Sequence, residues 1–343
     1  MTQLKAWLSG KCEALAQTLR EGKSHVQGLM IAVQLVVPAA LVLWIAFFPG
    51  ASWLGLCAQV LGTGLAFFAM SQVMLWGLPP RWVLHVFAAL WAIGVVWAGA
   101  AALRAGLPVM PSGWSGWGTG AIGLILAAAG GALSLQAMAS STPPGSRVID
   151  LSSPLGPGAY LVAHGGSREL TNVHLKTLDQ DVPRFANWRG QSYAVDILGR
   201  AALGVSRPLS NPSDPAAYPI FDAPVVAPCA GRVIAAEGAL PDMLVPEMDR
   251  VRKLGNHVIL ECDGVWVVVA HLRRGSVRVV AGEPVAQGAP LGKVGNSGNS
   301  SEPHLHLHVQ TPGRADTPIA GAPIPFRVDG RYLVRNDILL VAS

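Results

Sequence analysis

Four long apolar segments, spanning residues 28–48, 53–76, 82–103 and 118–138, carry almost no charge and dominate the first half of the chain. Each reaches the roughly 20 residues that a helix needs to cross the hydrocarbon core of a bilayer. Between them stand Pro49-Gly50, Pro79-Pro80-Arg81 and a Gly/Pro/Trp-rich stretch over 106–116, all of which punctuate helices. Trp44, Trp53, Trp76, Trp82, Trp114 and Trp117 sit near the ends of the runs, as in an interfacial aromatic belt. The expectation is an all-α membrane half of about four transmembrane helices (28–138), a linker (139–150), and a soluble domain (151–343). The first 27 residues mix Lys5, Lys11, Glu13, Arg20, Glu21 and Lys23 with Trp7, Leu8 and Leu19. They hold no continuous apolar core of a signal peptide, and read as an amphipathic tail. Within the runs the ionisable groups are His85 and the thiol of Cys57, which gives no support to transport.

Overall, 51% of the residues are hydrophobic and 13% charged, and nearly all the acidic ones follow Asp150. That half reads as all-β, an antiparallel sandwich or barrel: "AYLVAHGG", "SYAVDILG", "APVVAPCAGRVIAAE", "NHVILECDGVWVVVAHL" and "GEPVAQGAPLGKVGNSG" are short Val/Ile/Leu runs separated by Gly, Pro and Asp. Residues 241–253 read as a helical or irregular insertion. The net charge of +5 has no basic cluster behind it, so nucleic acid is not implied. No CxxC pair occurs among the four cysteines. Cys229 and Cys262 can meet across two strands where the domain faces an oxidising compartment, but each also suits the role of a free core thiol.

The chemistry concentrates in "SSEPHLHLHVQ", residues 300–310. In a strand, alternate residues share a face at about 6.6 Å per two-residue step, so His304, His306 and His308 look one way and Leu305 and Leu307 the other. The loop before it, "GKVGNSGNSSEP", has the small residues that border a cleft. His271 closes the apolar strand "VVVAHL". Asp196 lies inside "YAVDI", where a buried carboxylate needs a cation or strong donors. Asp196, His271, His304 and His306 make a donor set suited to zinc, with spare imidazoles for proton transfer. Amide hydrolysis is the reaction expected of such a set.

"GNSGNSSEPHLHLHV", "AHL", "YAVDI" and the Gly-punctuated strands together resemble the M23 zinc endopeptidases, the lysostaphin/LytM-like peptidoglycan hydrolases, over residues 187–310. The resemblance implies a small antiparallel β domain with Zn2+ in a groove, acting on peptide cross-links of bacterial cell walls. It implies His306 and Asp196 as zinc ligands, and His304 and His271 as catalytic residues. The family's HxxxD motif would put a histidine at 192, where this chain has Ser192 after Gln191. His174, with Asn172 to orient it, is the first candidate for the third ligand, and His308 the second; His164 reads as a loop residue. Two further functions stay open: a catalytically degenerate LytM-like module that binds cell wall or activates a hydrolase, and a phosphohistidine carrier using His271 and His304.

The resemblance also implies a multi-pass protein of the bacterial inner membrane with a periplasmic domain. Loop charge argues against that side. Lys5, Lys11, Arg20, Lys23 and Arg81 favour a cytoplasmic N-terminus, and four spans would then return the domain to the cytoplasm. Partners expected are a peptidoglycan peptide and the bilayer. Since one span suffices for tethering, the extra spans suggest docking to another membrane protein or a lipid.

Overall fold

The computed structural model describes residues 28–342; the expected amphipathic tail lies outside them. The apolar runs form four helices long and apolar enough to cross a membrane: α1 (Gly28–Phe47), α2 (Trp53–Val73), α3 (Arg81–Ala105) and α4 (Gly113–Ala139). Local chemistry sets their ends. Ser52 caps α2 by accepting the Gly55 N–H at 3.1 Å, and Gly106 closes α3 in the left-handed region at φ 61°. Gln59 of α2 donates to the carbonyls of Trp44 and Phe48, satisfying groups left over at the end of α1. The α2–α4 contact is close because Gly123 and Gly130 face the backbone at Ala58 and Leu65, where any Cβ would collide. Trp76 departs from the belt expected of it. It lies in the link between α2 and α3, is 1% exposed, and packs with Leu41, Phe67 and Leu84.

Thirteen strands follow among the described residues: β1 (Ile149–Leu151), β2 (Gly158–His164), β3 (Val195–Gly199), β4 (Pro224–Val226), β5 (Gly231–Glu237), β6 (Asn256–Cys262), β7 (Val265–Leu272), β8 (Pro284–Val285), β9 (Pro290–Lys293), β10 (Leu305–Gln310), β11 (Pro323–Ile324), β12 (Phe326–Val328) and β13 (Ile338–Val341). Nine of them form one antiparallel sheet in the order β13-β2-β3-β10-β7-β6-β5-β8, with β11 also on β10. The sheet stays open, so the architecture is layered and not a closed barrel. Its core face meets the small sheets β4-β9 and β1-β12, the latter parallel. Val195, Ile197, Val267, Val269, Leu305 and Leu307 pack there with Val225, Leu291 and Phe326. Residues 241–253 contain no helix and run as irregular chain. Cys229 and Cys262 are joined in a disulfide across this layer.

The opposite face of the sheet docks on the helices. Leu161, Ala163 and Leu198 pack against Leu75 of the α2–α3 link. Asn336 receives the Trp76 backbone N–H at 2.9 Å and donates to the Met74 carbonyl at 2.7 Å. Arg335 donates to the Val73 carbonyl at 2.7 Å, serving one of the last carbonyls of α2.

Candidate metal centre and active site

Strand register assembles the site. His306 of β10 stands opposite Asp196 of β3 on one side and Ala270 of β7 on the other, and Asp196 is paired in turn with His164 of β2. Because Leu305, Leu307 and Val309 enter the core, the histidines alternating with them must take the other face.

Two imidazoles converge on the Asp196 carboxylate. His174 Nε2 lies 2.9 Å from Oδ2, and His306 Nδ1 lies 2.9 Å from Oδ1. Burial alone would raise the pKa of Asp196, but the electrostatic pull of His174 and His304 and hydrogen bonds from His174 and His306 outweigh it and hold the carboxyl well below its ordinary range. The donor atoms of His174, Asp196 and His306 lie within 4.8 Å of one another, as do those of His271, His304 and His306. Two imidazole nitrogens and one carboxylate oxygen are a common catalytic-zinc set. Tetrahedral ligands at about 2.0 Å from an ion stand roughly 3.3 Å apart, within a few tenths of the 2.9 Å spacings here. The residues present therefore fit zinc.

His174 arrives on a short 3-10 turn, Val173–Leu178, capped by Asn172. Asn172 holds the backbone rather than the ring: Oδ1 accepts the His174 N–H at 3.1 Å, while Nδ2 donates to the carbonyls of Gly166 and Ala194 at 3.0 Å. Ser192, in the second 3-10 segment Pro183–Tyr193, is fully buried, and its Oγ lies 2.8 Å from Thr177 Oγ1, which also lies 2.7 Å from the His174 carbonyl. The hydroxyl at the position of the motif's missing histidine thus braces the turn that carries His174.

His271 and His304 face this group with ring centroids 4.7 Å apart. A carbonyl can only accept, so contacts of His271 Nδ1 with Ser297 O (2.9 Å) and of His304 Nδ1 with Glu302 O (2.8 Å) assign the proton to Nδ1 in both and leave Nε2 bare. His271 adopts φ 64°, a left-handed conformation that a side-chain-bearing residue holds only where its surroundings enforce it. Burial, then the neighbouring imidazoles of His304 and His306, push its pKa well below the ordinary histidine value.

Behind His306 runs a line of buried polar groups. His306 Nε2 lies 3.0 Å from His308 Nδ1. His308 Nε2 and Gln310 Oε1 are both buried with no hydrogen-bond partner, and the Gln310 side chain opposes the lowering of the His308 pKa that burial causes. Gln310 Nε2 donates to the Pro318 carbonyl at 2.7 Å, which fixes which way the amide points. A metal on His306 Nδ1 would call for one proton assignment along the line: His306 protonated at Nε2 toward His308 Nδ1, and His308 protonated at Nε2 toward Gln310. Without a metal, His306 Nδ1–H donates to Asp196 Oδ1 at 2.9 Å. His308 thus stands behind the site and belongs to neither candidate metal group among the described residues.

His164 corrects the loop reading. It ends β2, and its Nδ1 accepts from Arg335 at 3.0 Å. Burial, against the opposing pull of Asp196, lowers its pKa to about 4, so it lines the site as a neutral ring. A groove of about 380 Å³ leads away past Phe185, Trp188 and Lys253. Lys253 Nζ lies 3.4 Å from the Trp188 ring centroid. A second cavity of about 380 Å³ shares Trp188, Lys253 and Leu254 and extends the groove. Sequence reasoning missed Gln310, Thr177 and Arg335. Gln310 was within reach, two residues beyond His308 on the same strand face; nothing local to Arg335 points to the site.

Residues 217–318 match the family model described as Peptidase family M23. The match contains His271, His304, His306 and His308 and does not reach His174 or Asp196. No curated protein matches the chain. Among solved structures, the catalytic domain of a point mutant of the prophage-encoded M23 protein EnpA from Enterococcus faecalis is 21% identical over 35% of this chain and 68% of its own, with a TM-score of 0.24. The lysostaphin catalytic domain from Staphylococcus simulans is 19% identical over 37% of this chain and 71% of its own, with a TM-score of 0.24. A zinc-containing peptidase from Vibrio cholerae is 19% identical over 34% of this chain and 46% of its own, with a TM-score of 0.21. Likenesses at these scores carry no argument. What the comparisons show is that residues 217–318 of the β domain, behind four helices long and apolar enough to cross a membrane, match the model of peptidase family M23.

Proposed function

We propose that the protein is a membrane-anchored zinc metalloendopeptidase that hydrolyses peptide cross-links of bacterial peptidoglycan. The observation that carries this reading is the convergence of His174, Asp196 and His306, opposite the bare Nε2 atoms of His271 and His304. His174, Asp196 and His306 would hold Zn2+, which when bound would polarise the scissile carbonyl and acidify water. Asp196 stays ionised and sets the orientation of two imidazoles at once. His304, the less buried of the facing pair, accepts a proton at Nε2 and returns it to the leaving amine. His271 stays neutral, because burial and the neighbouring imidazoles oppose its charging, and Nε2 accepts a hydrogen bond from water or substrate. The groove past Phe185 and Trp188 supplies an aromatic wall with two cations, Lys176 and Lys253, for an extended peptide. His174 in the carboxylate's reach favours a working site over a degenerate one.

The Cys229–Cys262 disulfide supports an extracytoplasmic domain, since such bonds persist in oxidising compartments. On that placement the protein belongs to the inner membrane and its domain to the periplasmic side. A reporter joined after Ser343 should be active only when exported; cytoplasmic activity alone would overturn the placement.

The function itself is tested on the full chain in detergent by zinc content and by digestion of cross-linked peptidoglycan. The expected outcome is one zinc per chain and release of un-cross-linked muropeptides, both lost in Asp196→Ala and His306→Ala. Sub-stoichiometric zinc with retained cell-wall binding would convert the reading to a degenerate binding module.

A further inference from the structure

The sheet face that carries the site is the face docked on the helices. Leu198 follows Asp196 by two residues in β3, so it lies on the same face about 6.6 Å along the strand, and it packs on Leu75 of the α2–α3 link. Between site and helices lies a cavity of about 490 Å³, walled by Met30 and Gln34 of α1, Leu78 of the link, and His164, Asp196 and His304. The site therefore has a second mouth, away from the Trp188 groove and toward the helix ends.

Beyond β3 the chain folds back along those ends. The Leu203 carbonyl accepts from Trp82 Nε1 at 3.1 Å, and the Ser206 N–H donates to the Gly77 carbonyl at 2.9 Å. Leu203 is held at φ 59°, unfavourable for a residue with a Cβ. Its side chain is 77% exposed, and that of Leu209 in the same loop is 80% exposed. Leucines turned outward beside an exposed Trp82, in the first turn of an apolar helix, have the composition of a membrane interface. The Trp82 bond makes this patch continuous with the helices themselves.

We propose that residues 200–211 rest in the headgroup layer of the bilayer, that the second mouth opens at that surface, and that the peptide cut there is tethered to the bilayer by a lipid at its other end. This rests on the membrane-anchored peptidase reading. The bilayer contact and the tethered substrate have separate readouts.

Contact is read with the full chain, Cys12→Ser and Cys57→Ser, reconstituted in phosphatidylcholine/phosphatidylglycerol vesicles. Bimane is attached at Leu203→Cys, Leu209→Cys or, beside the far edge strand β8, Val280→Cys. Brominated lipid should quench 203 and 209 several-fold more than 280; equal quenching at all three overturns the contact. Substrate access is read with one quenched-fluorophore peptide coupled to phospholipid through 3 or 20 spacer residues, which reach at most about 10 and 70 Å. The short tether should be cut at least as fast as the long one. Cleavage of the long tether alone overturns the surface mouth. Quenching at 203 with no cleavage of tethered or free peptide refutes the peptidase reading and leaves the bilayer contact standing.

Discussion

Replacing His308 by leucine tests whether a residue that touches no candidate ligand atom governs metal binding. With zinc on Nδ1, the His306 Nε2–H would donate to His308 Nδ1, 3.0 Å away, and His306 is 2% exposed, so no water replaces the lost acceptor. Two outcomes are open to the ring. If it keeps its proton on Nε2, a buried donor goes unsatisfied at about 1–3 kcal/mol. If the proton moves to Nδ1, it hydrogen-bonds Asp196 Oδ1, 2.9 Å away, and occupies the nitrogen that zinc would need. Either way zinc affinity should fall by about 10–100-fold, the usual cost of removing an orienting partner of a ligating histidine. At about 1.4 kcal/mol per decade that is ~1.4–2.8 kcal/mol, which matches the desolvation figure. His308→Asn places an amide oxygen near the lost Nδ1 and should recover most of the affinity. Zinc competition against a chromophoric chelator at pH 7.5, beside a thermal melt of the apo protein, reads both effects. A folded leucine variant that binds zinc within about 3-fold of wild type would refute the positioning role.

Thr177→Val keeps the shape of the side chain while breaking the hydroxyl link from Ser192 to the His174 turn; it should cost about 1 kcal/mol in a melt and weaken zinc binding several-fold. The Cys229→Ser, Cys262→Ser double variant opens a link between residues 33 apart in sequence, which on chain entropy is about 3.7 kcal/mol of stability. Denaturation of the oxidised and double-variant proteins checks it, and equal midpoints would contradict it. His164 gives a pH signature. Its folded pKa of about 4 lies below the unfolded value of 6.5, so the folded state binds fewer protons and stability is lost as pH falls through 6.5 toward 4. That loss is about 2 kcal/mol by pH 5. His164→Asn, which retains an acceptor for Arg335, should remove that share of the acid destabilisation, measured as melting temperature at pH 8 and pH 5.

The helices were legible because length and absence of charge are properties of contiguous sequence, and the His-bearing strand because alternation is a local signal. What escaped was set across the fold. Trp76 has the sequence context of an interfacial residue, yet its ring is buried among Leu41, Phe67 and Leu84 while Asn336 holds its backbone N–H, and a partner more than two hundred residues away leaves no trace nearby. The Cys229–Cys262 pairing depends on the β5–β6 register, which two apolar contexts cannot reveal. His164, beside two glycines, has the composition of a loop; it is a strand residue because β3 pairs with it through a bulge.

The docked face also bears on why a tether of several helices serves this domain. A single span would fix distance from the bilayer and leave orientation free. Here Leu75, Trp76 and the carbonyls of Val73 and Met74 bind Leu198, Asn336 and Arg335, so the α2–α3 link fixes orientation as well. Arg335 joins the two functions in one side chain. Its guanidinium donates to the Val73 carbonyl at the end of α2 and to His164 beside the site, and it is largely desolvated, with its pKa lowered by burial to about 10. Arg335→Lys keeps the charge but cannot span both acceptors in a planar fork. It should therefore loosen the seating of the domain and the His164 ring together. Limited proteolysis of the α2–α3 link and zinc affinity should change in the same variant; a change in zinc affinity with the link still protected would show that the two are not coupled through this residue.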